Sequence, residues 1–422
     1  MIRYFKKVNE MIGFKTINVF NPYFLFSFIF LLVFLIYQLN WSVLTIPISG
    51  SVSFFLLLNI FLFIVLGFFF DRVKKKLTSK SGPIILDSSY NKIYNYFMIF
   101  IVCGVILEGI VLKGYPLFNS FGWGDIQYID YGIPVFHVVL LTVSYFLSVR
   151  IFEKLIHNIK DKRFYIAILV TLIPFVITIN RGMIVMLLLS YTCLFFQYRQ
   201  LKITKKICLI LAIAGIIFLY LFGLFGNYRI NSDYQQDRKI TDSSIIMDVG
   251  GATEHFRQGM VPKEFFWTYT YVTSPLSNLQ YNMNEHSKLK NYEKDNFIDF
   301  IKVMFLPDFL SKRMNPTVIN NYQVKEELNV GTAYYEVYPR YGWLGMYIYL
   351  IVISVVPFLY LFLLNKYARE YVAIGIALLC TIYSLLFFTN FLGYTGLMIQ
   401  LVFPFIIVIW KRLNIGSRFF KF

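Results

Sequence analysis

Apolar residues fall in long runs along this chain, and the runs approach the ~20 residues that a helix needs to cross a hydrocarbon core. Ten such segments can be drawn, near residues 22 to 38, 46 to 70, 93 to 112, 133 to 149, 164 to 179, 182 to 197, 207 to 226, 342 to 364, 371 to 388 and 392 to 410. One long polar stretch interrupts them, residues 227–340. The pattern predicts an all-α polytopic membrane protein with about ten transmembrane helices and one large extracytoplasmic loop. Residues 1–226 then hold helices one to seven, 227–340 the loop, and 341–422 helices eight to ten. Within the loop, residues 265–275 and 297–310 are aromatic and apolar but too short to span, which predicts short interfacial or re-entrant helices.

Basic residues set the orientation. Arg3, Lys6, Lys7 and Lys15 precede the first segment, and Arg72, Lys74, Lys75, Lys76 and Lys80 follow the second. Arg150, Lys154, Lys160, Lys162 and Arg163 follow the fourth, and Arg199, Lys202, Lys205 and Lys206 the sixth. Lys366 and Arg369 follow the eighth, and Lys411, Arg412, Arg418 and Lys421 the tenth. Short cytoplasmic loops are rich in Lys and Arg, so both termini are expected in the cytoplasm and the long loop outside. The first apolar segment lacks a small-residue cleavage site and reads as a retained helix.

Composition agrees: 58% of the 422 residues are hydrophobic and 20% aromatic. The net charge of +17 would suit a nucleic-acid partner, but its excess lies in the inward-facing loops and the long loop is close to neutral. No nucleic acid is expected; membrane lipids are. Cys103, Cys193, Cys208 and Cys380 all fall in apolar segments, which leaves no disulfide framework and no Cys-based metal site.

Chemistry is sought among polar groups at the membrane boundary. Arg181 lies between the closely spaced fifth and sixth segments, and Arg229 follows the seventh, so topology puts both at the outer level. Two planar, permanently charged guanidiniums at one depth can hold phosphate oxygens of a lipid pyrophosphate. The plainer alternatives are an interfacial Arg reaching headgroups and a solvated loop residue. Glu108 and His137 each lie about one turn below the outer end of a helix and can pair with each other. Gln400 suits an interhelical hydrogen bond. In the loop, His255 between Glu254 and Phe256, with Arg257 close by, is a candidate general base or part of a solvated cluster. His286 stands apart from it. Asp125 and Asp130 are a weak metal signal, and no bound metal or other cofactor is expected.

Several short motifs resemble the bacterial oligosaccharide repeat-unit polymerases, the Wzy-type enzymes of O-antigen, capsule and exopolysaccharide assembly. They are Phe20-Asn21-Pro22-Tyr23, Asn180-Arg181-Gly182, Gly226-Asn227-Tyr228-Arg229, Ser274-Pro275-Leu276, and Asn329-Val330-Gly331-Thr332 leading to Tyr341-Gly342-Trp343-Leu344-Gly345. The resemblance implies a fold like that of type C glycosyltransferases in a bacterial cytoplasmic membrane. It also implies a polyprenyl-pyrophosphate-linked oligosaccharide as donor, a second lipid-linked unit as acceptor, a possible chain-length regulator as partner, and inversion at the anomeric carbon. Arg181 and Arg229 would bind the pyrophosphate; Asn180, Tyr228, Arg257, Asn329, Thr332 and Arg340 would line the substrate. Arg340 stands where that family often has an acidic residue, and Glu336 is the nearest substitute, so His255 and Glu336 are the candidate catalytic residues. An O-antigen ligase, a lipid-phosphate-sugar glycosyltransferase using Asp125 and Asp130, and a non-enzymatic lipid-linked oligosaccharide flippase are the competing readings.

Overall fold

The computed structural model describes residues 20–80, 90–119, 126, 131–199, 205–233, 239–288, 297–314, 316 and 318–413. Asp125 and Asp130 lie outside the described residues. Among those described there is no strand; the chain is a set of helices. In chain order they are α1 (Pro22–Tyr37), α2 (Gly50–Lys80), α3 (Ile93–Leu112), α4 (Phe136–His157), α5 (Lys162–Ile177) and α6 (Arg181–Arg199). There follow α7 (Lys205–Asp233), α8 (Phe265–Lys288), α9 (Phe297–Phe305), α10 (Val337–Tyr367), α11 (Val372–Leu385) and α12 (Phe403–Arg412), with shorter helical turns between them.

Each of the ten apolar segments contains a helix. Among the described residues six spans are long and apolar enough to cross a bilayer: Gly50–Leu77, Ile93–Leu112, Arg181–Arg199, Ala212–Asn231, Val337–Tyr367 and Thr395–Arg412. The protein is therefore membrane-embedded. Several helices run past their apolar windows, α2 to Lys80, α4 to His157 and α7 to Asp233, because hydropathy marks the lipid-facing length and not where backbone hydrogen bonding stops. Local signals start some of them. Asn21 caps α1 by accepting from the Tyr23 amide at 3.0 Å with Pro22 at the first helical position, and Asp161 caps α5 through the Arg163 amide at 3.1 Å.

The core forms where α11 lies against α6, α1 and α10. α11 is buried on nearly every face and is correspondingly apolar all round. At the basic end of the bundle, buried Arg150 pairs with buried Glu153 and stacks over Tyr371 at 4.6 Å, while Glu153 also accepts from the Tyr198 hydroxyl at 2.6 Å. Glu370 takes Arg150 at 3.5 Å on one carboxylate oxygen and Lys411 at 2.7 Å on the other, tying α4, the α10–α11 turn and α12 together. The expected polar pairings inside the bundle are present: His137 Nδ1 lies 3.0 Å from both Glu108 oxygens, and Gln400 Nε2 donates to the Thr142 carbonyl at 3.1 Å.

The long polar region departs furthest from expectation. Instead of a short helix ending near Pro275, α8 passes through that proline, is 24 residues long in all, and is buried along most of its length. Its polar residues bind irregular backbone. Asn278 donates to the carbonyls of Leu328 and Val330, both at 2.6 Å, and accepts from the Val324 amide at 2.9 Å. One turn on, Asn282 accepts from the Tyr322 amide at 2.8 Å and donates to the Tyr335 carbonyl at 2.9 Å. Gln280 accepts from the Ser49 amide at 2.9 Å. At the other end of α8, Trp267 lies where a side chain on Gly226 would have to go, its ring only 2.2 Å from the position of a Cβ there. That contact explains the glycine in Gly226-Asn227-Tyr228-Arg229; Asn227 then ties α7 to Ser243 at 2.7 Å.

Asn278→Ala should destabilise the protein, since one buried and two half-buried backbone hydrogen bonds lose their partner, at up to about 1–3 kcal/mol each. Thermal unfolding in detergent is expected to show a large fall in Tm or loss of folded material, against a small change for Gln258→Ala on the exposed surface.

Candidate functional site

Residues 386–394 form a turn between α11 and the short helix Thr395–Met398 that leads into α12. Several elements fix it. The Ala333 amide donates to the Leu386 carbonyl at 2.8 Å, and the Tyr349 hydroxyl of α10 donates to Asn390 Oδ1 at 2.7 Å. Asn390 Nδ2 donates to the Met304 carbonyl of α9 at 2.7 Å. The Asp308 amide donates to the Gly393 carbonyl at 2.9 Å and the Phe309 amide to Thr395 Oγ1 at 3.1 Å.

These bonds bring a carboxylate to the turn. Asp308 opens the short helix Asp308–Ser311 after Pro307, and burial raises its carboxyl above the usual range; the Lys312 ammonium opposes that rise and the Glu336 carboxylate adds to it. Glu336, exposed just ahead of α10, thus stands within electrostatic reach of Asp308, and so does Tyr394 on the turn itself. Asp308, Lys312, Tyr394 and Asn390 were not singled out from the sequence. The one local signal for Asp308 is an acidic residue directly after proline at a helix start.

Each arginine is connected to this turn through a neighbouring residue. Arg181 opens α6, where the Asn180 side chain accepts from the Met183 amide at 3.1 Å, and Met183 Sδ meets the Tyr394 hydroxyl at 3.8 Å. The Arg181 guanidinium is exposed and makes no hydrogen bond or ion pair with a described residue. Arg229 is exposed on α7 and acts electrostatically on Tyr271, whose ring touches Phe388 with centroids 5.1 Å apart. The turn therefore has a partly desolvated carboxylate beside it, able to accept a proton, while Arg181 is linked to it through Met183 and Arg229 through Tyr271.

The other sequence candidates are dispersed. His255 is exposed on the short helix Glu254–Gln258, whose Phe256 packs on Trp41 in a separate apolar cluster with Ile245 and Phe266. Arg257 holds the Asp248 carboxylate at 2.7 Å and the carbonyls of Met247 and Ala252, so it braces its own loop. Asn180 spends its side-chain oxygen on the helix cap, and buried Thr332 accepts from the Tyr334 amide at 3.2 Å. Tyr228 and Asn329 are exposed, and Arg340 is buried in the first turn of α10, four residues after Glu336. Gly342 then breaks α10 with φ 60° and ψ −153°, a conformation open to glycine alone, which separates that first turn from the long helix. Among the described residues no group of three His, Cys, Asp or Glu side chains is placed to hold a metal ion.

Compared with family models, curated proteins and solved structures, the chain shows no match.

His286 is a structural residue, its Nε2 donating to the Asn320 carbonyl at 2.9 Å, and burial lowers its pKa from 6.5. The unfolded chain then takes up a proton that the folded one resists. Stability from this group is present above pH 6.5 and falls as the pH drops below it. Tm measured from pH 7.5 downward should decline less steeply in His286→Asn than in the wild type.

Proposed function

We propose that this protein polymerises polyprenyl-pyrophosphate-linked oligosaccharide repeat units at the outer face of a bacterial cytoplasmic membrane. In this reading all ten apolar helices cross the bilayer, both termini are cytoplasmic, and residues 386–394 with α8 and α9 lie on the outer side. The observation that supports it is the turn that holds the desolvated Asp308 with Glu336 in electrostatic reach, and that Met183 and Tyr271 link to Arg181 and Arg229. In this reading the two arginines bind the pyrophosphate and the carboxylate accepts the proton, as transfer from a lipid pyrophosphate requires.

The step proposed is a single displacement. The acceptor hydroxyl loses its proton to Asp308, its oxygen bonds to the anomeric carbon of the donor sugar, and the bond from that carbon to the pyrophosphate oxygen breaks. The electron pair leaves with the polyprenyl pyrophosphate, and the two guanidiniums stabilise its charge. Desolvation suits Asp308 to this role, because a carboxylate with a raised pKa is the stronger base. Glu336 tunes it through space. His255 has no part in this scheme, being placed in another cluster.

A strain lacking the chain should accumulate single repeat units on the lipid carrier and lose the polymer ladder. Wild type should restore the ladder and Arg181→Ala plus Arg229→Ala should not, each change costing about tenfold to a hundredfold for lost charged hydrogen bonds. If even single units vanish in the deletion strain, the polymerase reading falls. In a reconstituted assay, Glu336→Gln should move the acid limb of the rate profile to lower pH, because a like charge is removed from beside Asp308. Lys312→Ala should move it to higher pH, because an opposite charge is removed.

A further inference from the structure

Away from that turn, α8 meets the α1–α2 connection at a small cavity of about 10 Å³. Its walls carry the hydroxyls of Ser42, Thr45, Thr270, Thr273, Ser274 and Ser277, with Leu44, Val324 and Leu328 completing them. None of the lining side chains is charged. Five of the six hydroxyls already have protein partners. Ser42 donates to the Gly250 carbonyl, Thr45 pairs with the Tyr269 hydroxyl at 2.9 Å, and Ser277 pairs with the Tyr37 hydroxyl at 3.1 Å. Thr270 and Thr273 donate back to carbonyls one turn earlier in α8, at 2.9 Å to Trp267 and 2.8 Å to Tyr269. Ser274 has no partner, although only 3% of it is exposed. It directly precedes Pro275, the proline within α8 that removes a backbone donor from the helix there.

A buried hydroxyl left dry is costly, and a volume of this size is about that of one water probe. Water also needs two to four polar partners, and the pocket supplies them: the Ser274 O–H as donor, and the unused lone pairs of Thr45, Ser277 or Ser42 as acceptors. We infer that this pocket binds one ordered water molecule, which accepts from Ser274 and donates to the neighbouring hydroxyls. The water bridges α8 to the turn between α1 and α2. A larger solute does not fit the volume, and an ion would find no countercharge.

X-ray footprinting of the purified full-length protein in detergent tests this, since radicals formed on bound water oxidise adjacent side chains. Leu328 is only 7% exposed, so in the wild type its oxidation reports the bound water more than bulk solvent. Ser274→Val places methyl groups in the pocket and should lower Leu328 oxidation at least twofold while leaving that of exposed Met260 unchanged. Equal Leu328 oxidation in both proteins would overturn the assignment. Ser274→Ala separates the remaining cases. A bound water loses a partner and Tm falls slightly, whereas relief of a dry, orphaned hydroxyl raises Tm and refutes the site. A map at a resolution that shows waters should place a peak within hydrogen-bond distance of Ser274 Oγ; an empty pocket there counts against the inference.

Discussion

Irregular backbone buried inside a membrane protein must find hydrogen bonds within the protein, because neither lipid nor bulk water can supply them. Here the burden falls on α8. Its buried Asn278 and Asn282, one turn apart, take up amides and carbonyls between Tyr322 and Tyr335, and Gln280 reaches the connection after α1. With those groups satisfied, a stretch with neither helix nor strand can lie against the core. That stretch carries Ala333, which anchors the 386–394 turn, and it delivers Glu336 to its place beside Asp308.

The same logic explains why the polar chemistry gathers at one turn. α11 is wrapped on nearly every side and ends early, so the chain that leaves it exposes backbone carbonyls near the end of the bundle. The Ala333 and Asp308 amides answer its Leu386 and Gly393 carbonyls, and Asn390 on the turn accepts from Tyr349 of α10 and donates to Met304 of α9. A carboxylate recruited through its own backbone amide comes to rest partly desolvated, which raises its basicity as a by-product of the packing. At the opposite, basic end the bundle is closed by ion pairs in which Glu370 joins two helices from different parts of the chain. One end is thus tied by charges and the other by neutral amides and hydroxyls.

The sequence by itself determined the all-helical class and the membrane setting. An apolar run of about twenty residues has few other stable states, and that property is local to each segment. Glu108 with His137 and the contact of Gln400 were also legible, since a polar group inside an apolar helix must find a partner and few were on offer. Tertiary structure alone decided the length and burial of α8, because its polar residues follow no apolar period and the value of Asn278, Gln280 and Asn282 lies in backbone they meet far away in the chain. It likewise decided that Glu336 stands near Asp308 while His255 sits in another cluster. Those facts are distances between segments far apart in the chain, and no local pattern of residues encodes them.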